Sequence, residues 1–319
     1  MQRKKFSSGC TLFIILLSGI LFKCSPKQYP DSRVASCYPN RPYDTTSFQW
    51  RDPSDSVLNL LSKHYSRYSL MVANAAGLLT LLTEYEQEKI KAQNSTDALQ
   101  RLVVLEHKEK IINRISLFRT QVASVAAELD CEGERADQLS VYVEKIDLVR
   151  TRNLTVASVV TGAVAGVAAT LLQGDDANVV AITGGVASAV FGLFSLSSSK
   201  KVEFKHPRNL LHDLWFLPQH SRYYPATVWN MLSHSIFSNS KESSVAYNLR
   251  RSWQNYSALE PTDKKSDEKI KLLMGDGGLY SADDLKLRAN MINQLQASVK
   301  LIDQDIQGLL SEVLQEKTE

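Results

Sequence analysis

The sequence predicts an all-α protein, a long-helix bundle or coiled-coil stalk built around a central hydrophobic helical hairpin. Three observations carry that prediction. Apolar residues recur at three- and four-residue spacing through most of the chain after residue 55. Two uncharged runs, Leu154–Leu172 of 19 residues and Ala177–Leu196 of 20, lie side by side near its middle, each about the length of a bilayer-spanning helix. Fourteen glycines and nine prolines are few for an all-β chain of 319 residues, and the glycines gather in the hairpin.

Composition sets the outer bounds. A net charge of +3 and an apolar fraction of 44% fit neither a disordered chain nor a nucleic-acid-binding polycation. The length allows one or two domains with a real core.

The chain starts with a short basic region, Gln-Arg-Lys-Lys at residues 2–5, and an apolar run from Cys10 to Phe22. That is the layout of a secretory signal. Leu21-Phe22-Lys23-Cys24 ends the run, with Ser25-Pro26 behind it. These residues resemble the lipobox of bacterial lipoproteins: Leu21 fits the pattern, and Lys23 stands where a small residue is usual. The resemblance implies a signal peptide at 1–24 and lipidation of Cys24. An ordinary signal peptide with a chance cysteine, or an uncleaved anchor, is the other reading. Residues 25–55, rich in Pro, Ser and Asp, read as a flexible tether.

Residues 56–150 read as a helical stalk. Val57, Leu61, His64, Tyr68, Met71, Ala75, Leu78, Leu82 and Tyr85 form one coiled-coil-like seam, with His64 as a packed core histidine. Asn94-Ser95-Thr96-Asp97 breaks and recaps the chain. A second helix runs through Leu102, Leu105, Ile112, Ile115, Val122, Val125 and Leu129, with Glu106, Lys108, Glu109 and Lys110 on a solvated face. Asp130-Cys131-Glu132-Gly133 reads as a turn. A third helix follows through Leu139, Tyr142, Ile146 and Val149. No breaker separates it from the first apolar run, so stalk should pass directly into hairpin.

The hairpin, residues 151–201, turns at Gly174-Asp175-Asp176. Small residues recur every four positions: Ser158, Gly162, Gly166 and Thr170 in the first helix, Ala181, Gly185 and Ala189 in the second, with Gly184, Ser188 and Gly192 in a parallel row. Such rows let helices approach closely where no water drives association. The stretch resembles glycine-zipper two-helix membrane hairpins, which implies packing through Gly162, Gly166, Gly184, Gly185 and Gly192. The bilayer is one destination for it; the buried centre of a soluble bundle is the other. Arg150, Arg152, Lys200 and Lys201 flank the hairpin and its turn is acidic, so the positive-inside rule places the hairpin's ends in the cytoplasm. That conflicts with the export signal, unless the hairpin inserts after export or does not span.

Residues 202–262 hold Trp215, Trp229 and Trp253 with Phe204, Phe216, Tyr223, Tyr224, Phe237 and Tyr247, on short helices broken by Pro207, Pro218 and Pro225. Val202-Glu203-Phe204 reads as a brief strand and Arg208–Phe216 as a helix opened by Pro207. A compact aromatic core is favoured over an interfacial belt. In residues 263–319, Met274–Gly278 is a turn and Ser281 with Asp284 a capping box. The last helix carries Ile292, Leu295, Val299, Ile302, Ile306, Leu309 and Val313, the cleanest heptad of the chain.

Past the signal only Cys37 and Cys131 remain, a candidate disulfide pair in an exported chain. No motif points to a catalytic, cofactor-binding or metal-ligating residue, and His206, His212 and His220 lack the spacing of a metal pair. The expected function is therefore non-enzymatic: a lipid-anchored scaffold of the bacterial cell envelope, periplasm-facing or surface-exposed. Its partners would be the lipid bilayer and a second copy or another envelope protein, with no nucleic acid. The alternative is a membrane-inserting effector, whose architecture resembles α-helical pore-forming toxins. A third reading places an enzyme or ligand site in residues 202–262 if a deep polar pocket exists there.

Overall fold

The computed structural model describes residues 37, 40–45, 50–171, 175–197, 199–240, 242–257, 259 and 264–315. All belong to one compact unit, residues 35–319. The signal region, Cys24 and Gly174 lie outside the described residues.

The fold is all-α. In chain order come α1 (Asp55–Leu61), α2 (Arg67–Ala75), α3 (Leu79–Gln93), α4 (Ala98–Leu171), α5 (Asp175–Ser197), β1 (Val202–Lys205), α6 (Leu210–Phe216), α7 (Ala226–Ser233), a 3-10 turn (Ser235–Phe237), α8 (Val245–Ser257), α9 (Lys264–Met274), β2 (Gly277–Tyr280) and α10 (Ala282–Leu314). The two strands pair antiparallel, Val202 opposite Tyr280.

The spine is α4, 74 residues long and so about 110 Å at 1.5 Å per residue. α10 lies antiparallel along its middle. Ser140 Oγ donates to Ala282 O at 2.9 Å, Gln296 Nε2 to Asp130 Oδ1 at 2.7 Å, and Arg119 pairs with Asp303 at 3.7 Å. The heptad residues Ile292, Leu295, Val299, Ile302, Ile306, Leu309 and Val313 are all buried, at about 1.5–3 kcal/mol for each fully buried aliphatic side chain. Ser281 closes the expected capping box: its hydroxyl accepts from Asp284 N, and the Asp284 carboxylate accepts from Ser281 N.

Several expectations are corrected. The turn at 130–133 does not exist, since α4 runs straight through it. Gly133 serves close approach instead. A Cβ there would sit 2.8 Å from Asn293 Oδ1 and 3.3 Å from Ile292 Cγ2 on α10. The buried row of α4 is Ile111, Ile115, Phe118, Val122, Val125 and Leu129, while Leu102, Leu105 and Ile112 face outward.

The single seam over 57–85 is broken into α1, α2 and α3. Ser66 caps α2 by accepting from Ser69 N. Gly77, at φ 70°, ends it in a Schellman motif with Leu78 N donating to Ala73 O at 2.8 Å. His64 falls in the first break, partly exposed and 3.6 Å from Glu86, rather than packed in a core.

The tether shortens too. Cys37 is disulfide-bonded to Cys131, Asp44 O accepts from Ala226 N at 3.2 Å, and Arg51 O accepts from Asn74 Nδ2 at 2.9 Å. These contacts fasten Cys37, Asp44 and Arg51 to the body.

The aromatic segment is a compact core. Phe204, Trp215, Tyr224, Trp229, Phe237 and Trp253 are buried, and Phe216 and Tyr247 are exposed. Asn209, not Pro207, opens α6, its side chain accepting from Leu211 N.

Candidate functional site

The last third of α4 and all of α5 stand apart from this body as an antiparallel hairpin. Two of the described helices, α4 and α5, are long and apolar enough to cross a membrane, and their apolar windows are 6% buried. Val159, Val167, Leu171, Ile182 and Leu193 are each more than three-fifths exposed. No other described part of the chain covers them. A contiguous apolar surface of this kind marks an interaction site on a protein in water.

The two helices meet along a narrow seam of small side chains. On α4 it follows Ser158, Gly162 and Ala165; on α5, Gly184, Ser188 and Gly192. A Cβ on Gly162 would come 3.3 Å from Ser188 Oγ, one on Gly192 would come 3.9 Å from Ser158 Oγ, and one on Gly184 would press into Ala165 Cβ. Ser158 Oγ donates to Ser188 O at 2.8 Å and Ser188 Oγ to Ser158 O at 2.9 Å, a reciprocal pair that locks the register.

Of the five glycines expected to pack the hairpin, these three do. Gly166 and Gly185 do not: a Cβ on either meets nothing within 4 Å. The reason is geometric. Four residues turn a helix by about 400°, so a ladder of fours drifts about 40° off the seam at each step. On α4 the contact line therefore steps from Gly162 to Ala165 and leaves Gly166 to one side, while on α5 it keeps to Gly184, Ser188 and Gly192, with Gly185 on the neighbouring row.

The base of the hairpin is pinned where the chain leaves it. The Asp147 carboxylate on α4 accepts from Lys200 N at 2.9 and 3.1 Å. Arg150 and Arg152 on α4 and Lys200 and Lys201 after α5 ring this end with positive charge. Asp176 lies in the first turn of α5, where the helix dipole favours a carboxylate.

The body holds buried polar groups, several of which tie its elements together. Asp213 accepts from Ser221 Oγ at 2.6 Å and Arg222 N at 2.9 Å, and His212 Nδ1 lies 3.0 Å from its other oxygen. In a hydrolytic triad the histidine stands between serine and acid. Here the acid stands between them and clamps the α6–α7 loop.

Burial, aided by the Arg288 and Arg135 charges, pushes the His206 imidazole down to about 2. Tyr280 gives its proton to Leu272 O at 2.6 Å, so His206 Nε2 must donate to the Tyr280 oxygen at 2.7 Å. Burial also raises the Glu128 carboxyl, although Arg208 Nε donates to it at 2.6 Å. No group of three or more metal-ligating side chains occurs among the described residues.

Two open clefts, of about 620 and 560 Å³, indent the body around α7 and α8. The sequence did not flag them, because they gather residues from distant segments: Trp50 with Asn230 and Tyr247, and Tyr68 with Asn248 and Asp305. No family model, curated protein or solved structure matches the chain.

Proposed function

We propose that this protein is a non-enzymatic, membrane-anchored helical scaffold of a bacterial cell envelope, with lipid at Cys24 as one anchor and the apolar hairpin as a second. The observation that carries the reading is the uncovered hairpin, two spanning-length apolar helices continuous with a rigid spine. In lipid its outward valines and leucines lose their cost, and both helices satisfy their own backbone groups.

Two further features support it. A disulfide between Cys37 and Cys131 suits an oxidising, exported environment. The bond also sets the geometry of two anchors. Cys131 lies 23 residues before Leu154, about 35 Å along α4. Cys24 lies 13 residues before Cys37, and such a segment reaches about 45 Å when extended. Lipid and hairpin can therefore occupy one membrane, with the body standing along the spine on the exported side. The hairpin would then insert after export, carrying its acidic turn inward and leaving the basic base outside.

A pore-forming effector keeps its hairpin sheltered until triggered. The exposure of Val159, Ile182 and Leu193 favours a standing anchor over that alternative.

The test is fractionation of a bacterial host expressing the full chain and its Cys24→Ser variant. The scaffold reading expects palmitate labelling of the first and not the second, with both resisting extraction by alkaline carbonate. Release of Cys24→Ser as soluble protein would remove the hairpin as an anchor, and an unlabelled wild type would remove the lipid.

A further inference from the structure

A second uncovered apolar face lies at the far end of the spine. It holds Leu99, Leu102, Leu105 and Ile112, which are 67%, 59%, 61% and 36% exposed. Leu102 precedes Leu154 by 52 residues, about 78 Å of helix, so the lipid around the hairpin does not reach it. The other side of the same stretch packs on α3. Ile111 is buried on that side, where Gln100 donates to Glu88 at 2.6 Å and His107 Nε2 lies 3.8 Å from Glu84. Nine residues separate Leu102 from Ile111, about two and a half turns, so the leucine points away from α3.

The face has the layout of one half of a coiled coil. With Leu102 as an a position, Leu105 is the following d, Glu109 the next a and Ile112 the next d. Arg101 and Lys108 then fall at g, and Glu106 at e. In a parallel pair, g residues of one helix meet e residues of the other. Arg101 of each copy therefore reaches Glu106 of the other, twice over by symmetry. Glu106 already pairs with Lys110 at 2.7 Å in its own helix, and a carboxylate has room for a second cation. Glu109 puts a charge in the core row, which costs stability while fixing register, and Lys108 of the other copy lies beside it. An antiparallel pair would instead set g against g, bringing arginine and lysine side chains together.

We propose that a second copy of this chain docks here, parallel and in register, as a two-stranded coiled coil at the membrane-distal end of the scaffold. The inference rests on the membrane anchor of the proposed function, and charge and anchor agree on direction. Copies inserted from one side of a bilayer present α4 the same way up. The anchor also supplies strength. Two heptads bury less than the roughly 800 Å² per partner of a stable complex. Copies held in one membrane meet at a raised effective concentration, and both helices are already formed, so little ordering cost opposes docking.

The test adds residues 25–319, which hold the whole of the described fold, to preformed liposomes, so that all copies enter from one side. The floated protein is oxidised with copper phenanthroline, and cross-linked dimer is followed with time on non-reducing gels. Single cysteines are placed at exposed positions, Leu102→Cys on the face and Lys110→Cys beside it; Cys37 and Cys131 are joined to each other. Matching a positions meet across a parallel pair, so Leu102→Cys is expected to cross-link about tenfold faster than Lys110→Cys. Adding Arg101→Glu should slow it about tenfold, because two attractions become repulsions, and adding Glu106→Arg as well should restore the rate. Protein that does not float overturns the anchor, and with it the membrane-borne pair. Protein that floats but cross-links no faster through Leu102→Cys than through Lys110→Cys, or is indifferent to Arg101→Glu, overturns the coiled coil alone.

Discussion

Adjacent glycines on α5 make a sharp test of the hairpin's geometry. Gly184 faces α4, and a single methyl group there enters the space of Ala165. Gly185, one residue on and about 100° around the helix, meets nothing. Gly184→Ala must therefore push the helices apart, an overpacking penalty of about 1–3 kcal/mol. The separation also stretches the reciprocal Ser158–Ser188 bonds, each worth about 0.6 kcal/mol between helices in a membrane. The full effect is about 2–4 kcal/mol against hairpin closure, whereas Gly185→Ala should stay within about 0.5 kcal/mol of wild type.

The assay is energy transfer between dyes on Arg152→Cys and Ser199→Cys at the hairpin base, with Cys10 and Cys24 replaced by serine. Sodium dodecyl sulfate is titrated into neutral micelles to open the pair. The reasoning expects a lower opening midpoint for Gly184→Ala alone. Equal midpoints for the two alanine variants would refute the seam.

Three further outcomes follow from the body. The unfolded His206 imidazole takes up a proton below pH about 6.5 and the folded one only near 2, so acid favours unfolding; wild type should lose about 2.3 kcal/mol more than His206→Gln between pH 6.5 and 4.5, measured by urea denaturation. Reducing Cys37–Cys131, which spans 94 residues, should lower stability by about 2–4 kcal/mol in the same assay without releasing the protein from membranes. Gly133→Val should destabilise by about 1–3 kcal/mol because its side chain meets Asn293 and Ile292; a neutral thermal shift would mean α4 and α10 are not in contact there.

What the sequence revealed depended on range. The α10 heptad, its Ser281–Asp284 cap and the passage of stalk into hairpin are local patterns, and the structure contains all three. Gly133 misled because its reason for being glycine lies 160 residues away on α10. Gly166 misled through arithmetic, since spacing by four is close to a helical face without staying on it.

Arg288 sits within the heptad helix, where an apolar residue would be expected. It is buried nonetheless, because Leu273 O and the Asn209 side chain wait for its guanidinium at 2.8 and 3.2 Å. Trp50 was hidden in a segment whose composition reads as tether. Only the folding of residues 50–52 onto α2 and α7 brings it beside Asn230 and Tyr247, in the region where a pocket would have spoken for a ligand site.

The most direct test of the central claim is flotation of purified residues 25–319, which carry neither the apolar run at residues 10–22 nor Cys24, with liposomes holding a trapped dye. The scaffold account predicts that the protein floats with the vesicles and the dye stays inside, so that the hairpin alone is an anchor. Protein left at the bottom as a stable soluble species would contradict it, and flotation accompanied by dye release would replace the scaffold with a membrane-permeabilising effector.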